Sequence, residues 1–185
     1  MSIEATVQNR GRPRLGDGFC MAEVVLNAPM TLSPGQWLTA EEGDVALFDQ
    51  PAPDRLRLLM PETLPDGLTL QLRGTVQPIP RRAVLIGQGL PGLGGVLHAA
   101  RAWKDHARLL ALLALDALPF EPAPSRIWLP HLPPEAIATL PLLEDWGVPC
   151  RLCGPFPGAT DQPVQAVAEA FVQAQPEDWA VLSFG

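Results

Sequence analysis

Three features are scarce in this 185-residue sequence: clustered positive charge, cysteine and long apolar runs. The net charge is −7, with six basic and ten acidic residues up to residue 80 and seven basic and ten acidic residues beyond it. Neither half can neutralise a phosphate backbone, so we exclude nucleic acid as a partner. The nearest basic cluster, Arg10, Arg12 and Arg14, is interrupted by Gly and Pro and is typical of a solvated loop.

The apolar runs and the N-terminus also exclude classes of protein. The longest apolar run, residues 109–118, contains an aspartate and is far too short to span a bilayer. The N-terminal residues carry no apolar segment after a charged one, so no secretion signal is visible. We therefore expect a cytoplasmic protein without membrane attachment.

The three cysteines, Cys20, Cys150 and Cys153, are an odd number in a chain without an export signal, which argues against a disulfide framework. Cys150 and Cys153 have a C-x-x-C spacing, but the GPFPG that follows cannot promptly begin the helix that lowers a redox thiol's pKa. A zinc site needs four ligands, and only Cys20 and three scattered histidines remain. We predict reduced thiols and no metal site.

Apolar residues are abundant, at 47% against 18% charged, so the chain should fold. Residues 1–80 contain short apolar runs that turn residues interrupt every 8 to 12 positions or so, which is typical of a small antiparallel barrel or sandwich. The prolines of QPIPRR (residues 77–82) cannot join a sheet interior and close this region.

Beyond residue 80, strands and helices alternate, which predicts a parallel sheet covered on both faces. The predicted strands are residues 83–88, 108–116, 126–130, 148–153 and 178–185, and the predicted helices are residues 94–106, 133–147 and 162–175, with the second helix broken near Pro141. The fold class is therefore two-domain: a small antiparallel β-barrel over residues 1–80, followed by an α/β parallel-sheet domain of the nucleotide-binding type over residues 81–185.

A glycine-rich turn joins the first strand and helix of this second region. Its glycines allow a phosphate to approach the backbone N–H groups at the start of the following helix, although Pro91 removes one donor. A tight turn that packs a helix closely on a sheet needs glycines too, and both interpretations stay open. The candidate cofactor-binding residues of the turn are Gly87, Gln88, Gly89, Gly92, Gly94 and Gly95.

Asp116 is the candidate partner for a ribose, because dinucleotide sites place an acidic residue about 20 positions after the glycine turn. It stands 27 residues after Gly89. The alternative is an aspartate that ends a strand in a turn.

Three stretches together resemble one family. SPGQWL (residues 33–38) is similar to the entry of a flavin-binding barrel, and AVLIGQGLPG (residues 83–92) to the strand and Gly-x-Gly turn of a pyridine-nucleotide domain. Residues 144–185 resemble the strand, glycine loop, helix and strand that precede a Cys-Gly-Pro motif. In this order they resemble the ferredoxin reductase-like superfamily, and most of all the electron-transfer subunits of dihydroorotate dehydrogenase and related flavin-dependent reductases.

The resemblance implies FAD or FMN between the two domains, accepting hydride from NAD(P)H, with electrons passed to a redox partner protein. The family holds its flavin with an Arg-x-Tyr-[Ser/Thr] signature, and this sequence contains no tyrosine. Phe48 is the candidate stacking ring, and Arg55 and Arg57 are the candidate phosphate partners. The alternative is that Phe48 is a core residue and that the two arginines lie on a solvated strand face.

Two further departures from the family pattern bear on function. Phe184 stands where the family's cysteine lies beside the nicotinamide, so either the chain is shortened beyond this point or part of that site is lost. The four-cysteine motif of an iron–sulfur cluster is missing, so we expect no cluster.

Three functions remain in consideration. The first is an electron-transfer component of the NAD(P)H–flavin oxidoreductase type with degenerate motifs, which as an enzyme would be an NAD(P)H-dependent flavin oxidoreductase. The second is a pseudoenzyme on the same fold, a non-catalytic binding or assembly subunit that associates with a redox partner or with its own copies. The third is a regulatory nucleotide-binding module.

Overall fold

The computed structural model describes residues 1–12, 15–120, 123–124, 138–139, 143, 145–155 and 159–185. Within these residues no helix is both long enough and apolar enough to cross a bilayer.

The first half of the chain forms a near-closed antiparallel barrel of six strands in the order β3-β6-β1-β2-β5-β4. Its two outermost strands, β3 and β4, lie against each other and bring the sheet round on itself. Alternate residues point inward, as Ile3, Ala5 and Val7 do from the first strand, because successive side chains of a strand face opposite ways. The strands are β1 (Ser2–Gly11), β2 (Phe19–Leu26), β3 (Gln36–Ala40), β4 (Ala46–Ala52), β5 (Arg55–Pro61) and β6 (Gly67–Gly74).

The second half contains a four-stranded parallel sheet in the order β11-β8-β7-β12 and a two-residue antiparallel pair, β9 and β10. Three of the sheet strands, β7, β8 and β11, are buried almost throughout, as expected where helices cover both faces, whereas the edge strand β12 is largely exposed. The elements are β7 (Arg82–Gln88), α1 (Gly89–Trp103), β8 (Arg108–Ala114), β9 (Ala123–Pro124), β10 (Ala138–Thr139), β11 (Cys150–Cys153), α2 (Val164–Ala174) and β12 (Ala180–Phe184).

The predicted barrel and the predicted α/β region with a parallel sheet are both confirmed. Residue 80 lies between the end of β6 and the start of β7. The division into two domains at that point stays a prediction.

Two local predictions differ from the structure. The first helix begins at Gly89 rather than Gly94, so the glycine-rich turn is the first part of α1. Pro91 does not prevent this, because the first N–H groups of a helix have no partner within the helix. Ala138–Thr139 form a strand inside the predicted helix over residues 133–147, most of which lies outside the described residues, as does the predicted strand over residues 126–130.

Helix α1 lies between the barrel and the parallel sheet and packs on both. Ala46 and Leu59 of the barrel share one hydrophobic cluster with Leu97 and Trp103 of α1 and Leu85 of β7. On the far face of the sheet, α2 packs on β7 and β8 and forms a separate cluster. The barrel interior is a third cluster. The molecule is therefore layered, with α1 packed between its two halves.

Candidate functional site

A cleft of about 560 Å³ opens at the carboxyl ends of β7, β8 and β11. Gln88 and Gly89 reach it from the end of β7, Asp116 from the end of β8, and Gly154 from the end of β11. Parallel sheets bind ligands at this edge, because the loops that follow the strands all meet there. We call this site the carboxyl-edge cleft.

Two helices begin at the carboxyl-edge cleft: α1 at Gly89 and α2 at Val164. The capping positions, Gln88 and Pro163, give no side-chain hydrogen bond to either helix, and neither first turn contains an acidic residue. The first backbone N–H groups of a helix carry partial positive charge and need partners. The cleft therefore presents two helix N-termini whose capping residues give no side-chain hydrogen bond, called uncapped in this sense, and this arrangement favours an anion such as a phosphate.

The wall between β11 and α2 is held by hydrogen bonds around Thr160, which is buried. The Thr160 N–H donates to the Leu152 carbonyl at 3.2 Å, and the Gly154 N–H donates to the Thr160 carbonyl at 3.4 Å. The Thr160 Oγ1 accepts from the Gln162 N–H at 3.2 Å. These bonds fix the loop that brings the start of α2 to the cleft.

The charged side chains on the cleft are Asp116 and Asp161, both exposed to solvent. No lysine or arginine lines it among the residues that the structure describes. An anion held here would therefore be bound by backbone N–H groups, while the carboxylates would accept hydrogen bonds from hydroxyl groups.

The six predicted residues of the glycine turn divide into two groups. Gln88 and Gly89 line the cleft, and Gly89 has φ +66°, a left-handed conformation that favours glycine. The other four pack against protein groups, and all are buried: Gly87, Gly92, Gly94 and Gly95. Asp116 joins the cleft group. Whether any of them binds a cofactor stays a prediction.

The inward glycines allow close approach of backbone to backbone and to rings. A Cβ at Gly94 would lie 2.4 Å from the Leu47 backbone N of β4, and one at Gly92 would lie 2.5 Å from the Phe184 carbonyl O. A Cβ at Gly95 would lie 2.7 Å from the ring of Phe184. The packing role that the sequence left open is therefore present at these three glycines.

The predicted flavin-side residues lie elsewhere. Phe48 is half-buried on β4, Arg57 is half-exposed on β5, and Arg55 is exposed. The guanidinium of Arg57 binds both carboxylate oxygens of Asp49, which raises the pKa of Arg57. Phe48, Arg55 and Arg57 are not among the residues that line the carboxyl-edge cleft.

Two residues that sequence reasoning missed complete this second group: Arg101 of α1 and Trp146. The Arg101 guanidinium carbon lies 4.4 Å from the centre of the Trp146 ring and 5.7 Å from that of Phe48, whose ring also has Arg57 at 5.3 Å. Burial lowers the pKa of Arg101. Arg101 is twelve residues along α1 from Gly89, a rise of about 18 Å, so the two groups lie toward opposite ends of the helix.

The near-closed antiparallel barrel and the parallel sheet with its helices match the FAD-binding barrel and the NAD-binding domain of ferredoxin reductases. The chain therefore has the ferredoxin reductase fold. Solved structures with this fold include a ferredoxin reductase, a cytochrome P450 reductase and an NADH-dependent reduced ferredoxin–NADP oxidoreductase.

Three solved structures illustrate the likeness. The ferredoxin reductase of carbazole 1,9a-dioxygenase matches 98% of this chain with a TM-score of 0.55 and 14% identity. The cytochrome P450 reductase of Amycolatopsis matches 100% of this chain with a TM-score of 0.54 and 15% identity, and the match covers 70% of the reductase. A siderophore-interacting protein from Acinetobacter baumannii matches 99% of this chain with a TM-score of 0.57 and 8% identity, and the match covers 78% of the siderophore-interacting protein.

This chain spans 60% of the length of the carbazole dioxygenase reductase. No known protein-family model matches the sequence. No curated protein is significantly similar to it. The likeness is thus one of fold, at identities of 15% and below.

Proposed function

We propose that this chain binds a pyridine dinucleotide in the carboxyl-edge cleft and acts as a non-catalytic, nucleotide-binding subunit of an electron-transfer system. The observation that carries the proposal is the meeting of two uncapped helix N-termini, those of α1 and α2, at one cleft. The cleft volume of about 560 Å³ lies within the range of about 300–1,000 Å³ that is usual for small-molecule sites.

The residues of the cleft fit a dinucleotide in the following way. The free N–H groups in the first turns of α1 and α2 would bind the pyrophosphate, and Gly89 would let it approach the backbone. Asp116 follows the strand next to β7 and would accept hydrogen bonds from ribose hydroxyls.

The charge of the cleft favours NADH over NADPH. The additional 2′-phosphate of NADPH needs a cationic partner, and the described lining residues contain no lysine or arginine. Asp116 and Asp161 would repel it instead.

On the barrel face, two of the side chains that would hold FAD, the second group that the fold implies, are already engaged by protein groups. Arg57 is bound to Asp49, and the ring of Phe48 contacts two guanidinium groups. We therefore assign no flavin-dependent step to this chain.

The test is the heat-unfolding midpoint with added NADH, NADPH or ADP-ribose. At a hundredfold excess over Kd, ligand binding stabilises the native state by about 2.7 kcal/mol, which raises the midpoint by about 5–10 °C. We expect this rise with NADH and ADP-ribose and a smaller one with NADPH. No rise with NADH at millimolar concentration would overturn the proposal.

A pair of variants at Gly89 tests the helix N-terminus itself. Asp and Asn both tolerate the left-handed backbone that Gly89 adopts at φ +66°; they have the same shape, and only Asp carries a charge. Gly89→Asp should abolish the NADH-induced rise in the midpoint, because the new carboxylate occupies the anion site and repels the phosphate groups of NADH. Gly89→Asn, the matched control, should retain most of it. Equal effects of the two variants would count against phosphate binding at α1.

The second candidate function is an NAD(P)H-dependent flavin oxidoreductase, most similar by its motifs to the electron-transfer subunits of dihydroorotate dehydrogenase. The fold favours it, since its solved counterparts include flavin-dependent reductases. Its test is the absorption spectrum of the purified protein: a flavin band supports it, and a colourless protein that takes up no added flavin excludes it.

A further inference from the structure

We infer that this chain holds no flavin between its barrel and its α/β half, because its own helix and side chains fill that space. The ferredoxin reductase resemblance places FAD or FMN there. Three sets of contacts, made by α1, by Phe184 and by the Phe48–Arg101 group, close the space in the described part of the molecule.

The first contact is that of helix α1 with strand β4. The backbone at Gly94 approaches β4 so closely that a Cβ would lie 2.4 Å from the Leu47 N and 3.2 Å from Ala46. A planar ring sandwiched between two layers needs about 3.5 Å on each face, or about 7 Å in all. Backbone in direct contact with backbone leaves no such layer along this part of β4.

The second contact is the aromatic pair of Trp37 on β3 and Phe184 on β12. Phe184 is 2% exposed; its ring lies against Gly95 and meets the ring of Trp37 edge-on, with ring centres 6.0 Å apart. The groove that remains beside this pair, lined also by Gln77 and Ser183, has a volume of about 230 Å³. Sites for small organic ligands usually have about 300–1,000 Å³. The groove is therefore too small for a flavin.

The third contact engages two of the three side chains that were candidates for holding the cofactor, Phe48 and Arg57. Phe48, the ring available for stacking, already has the guanidinium groups of Arg57 and Arg101 over it. Arg57, one of the two candidate phosphate partners, donates hydrogen bonds to both carboxylate oxygens of Asp49. A flavin would have to displace a bidentate charge pair and two cation–π contacts in addition to separating the layers.

The experiment is a titration of the purified full chain with FMN, followed by equilibrium dialysis and by flavin fluorescence anisotropy. FMN is preferred to FAD because it lacks the adenosine diphosphate that could enter the carboxyl-edge cleft. We expect a colourless protein and no saturable FMN binding. Flavin that copurifies with the protein, or FMN binding at one per chain, would overturn the inference.

A pair of glycine variants tests whether the layers are closed. Gly94→Ala should lower the heat-unfolding midpoint by about 5–10 °C, because the added methyl group must push α1 away from β4. Gly67→Ala is the matched control, since a Cβ there meets nothing within 4 Å and its φ is not in the left-handed region. A midpoint for Gly94→Ala equal to that of Gly67→Ala would show an open interface and overturn the inference.

The outcome is independent of the dinucleotide proposal. FMN binding with an intact NADH-induced rise in the midpoint would overturn this inference alone. Absence of both FMN binding and the NADH effect, in a protein that unfolds in one cooperative transition, would overturn the dinucleotide proposal alone.

Discussion

The rings of Trp37 and Phe184 meet edge-on at 6.0 Å and 71°, one from the barrel and one from the last strand of the parallel sheet. Such pairs stabilise by about 0.5–1.5 kcal/mol beyond their buried area. The contact therefore links the free energies of the two halves of the molecule.

A double-mutant cycle measures that link. Trp37→Leu and Phe184→Leu should each lower the free energy of unfolding by about 1–3 kcal/mol, with a coupling energy of about 0.5–1.5 kcal/mol. Phe171 lies on the other face of the sheet, in a different hydrophobic cluster, so Phe171→Leu combined with Trp37→Leu is the control. Urea unfolding gives all of these values. A coupling within error of the control pair would contradict the prediction.

Stability should depend on pH through His98. Burial lowers the pKa of His98, and Arg101 lowers it further, although the Nε2–H donates to the Leu32 carbonyl at 3.2 Å. Below about pH 6.5 the unfolded chain therefore binds a proton at His98 that the native state does not bind. The free energy of unfolding falls as the pH drops from about 6.5 to the lower pKa that His98 has in the native state.

Replacing His98 with Gln should reduce this loss of stability. The loss is measured as the difference in the free energy of unfolding between about pH 7.5 and about pH 5.5. His106 is exposed, and His106→Gln serves as the control that keeps the wild-type pH dependence. If His98→Gln and His106→Gln lose stability equally on acidification, the burial of His98 is not the cause.

Arg57 and Arg55 lie two residues apart on β5 and differ in their surroundings, since Arg57 is paired with Asp49 and Arg55 is exposed. Arg57→Gln should destabilise by about 1 kcal/mol, because it leaves the Asp49 side chain, which is 17% exposed, without its bidentate partner. Arg55 is exposed, so Arg55→Gln should change stability by less than about 0.5 kcal/mol. The comparison is made by urea unfolding at one salt concentration, and equal effects would rule out a stabilising role for the pair.

Asp116 should determine the choice between the two pyridine dinucleotides, if the carboxyl-edge cleft binds them as proposed. Asp116→Asn removes one of the two charges that repel a 2′-phosphate, and we expect the difference between the NADH and NADPH midpoint shifts to become smaller. Asp105 lies between α1 and β8, at the other edge of the sheet, and Asp105→Asn should leave the preference unchanged. A preference for NADPH in the wild type would contradict the assignment.

The fold could be predicted because its two halves have different sequence periods. Punctuated short runs up to residue 80 and alternating strands and helices beyond it each define a pattern that local physics sets. The start of α1 could not be predicted in the same way. Four of the residues at the start of α1 are glycines, which are poor helix formers. Their close contacts with Leu47 and Phe184, which are remote in sequence, favour a helix there.

The candidate site was predictable in part for a similar reason. Gln88 and Gly89, at the end of β7, meet Asp116, which follows β8, because the carboxyl ends of neighbouring parallel strands lie at the same edge of the sheet, and sequence order alone implies this. The group around Phe48 was not predictable, because Arg101 and Trp146 reach it through tertiary packing that no local spacing records.

Helix α1 buries ten of its 15 residues against two different layers. A helix packed in this way belongs to neither half alone, because separating the halves leaves an apolar surface exposed on the half without the helix. Residues 1–80 expressed alone would expose Ala46 and Leu59 to water and invite aggregation. The barrel is thus not a module that can be exchanged between proteins of this fold without its helix.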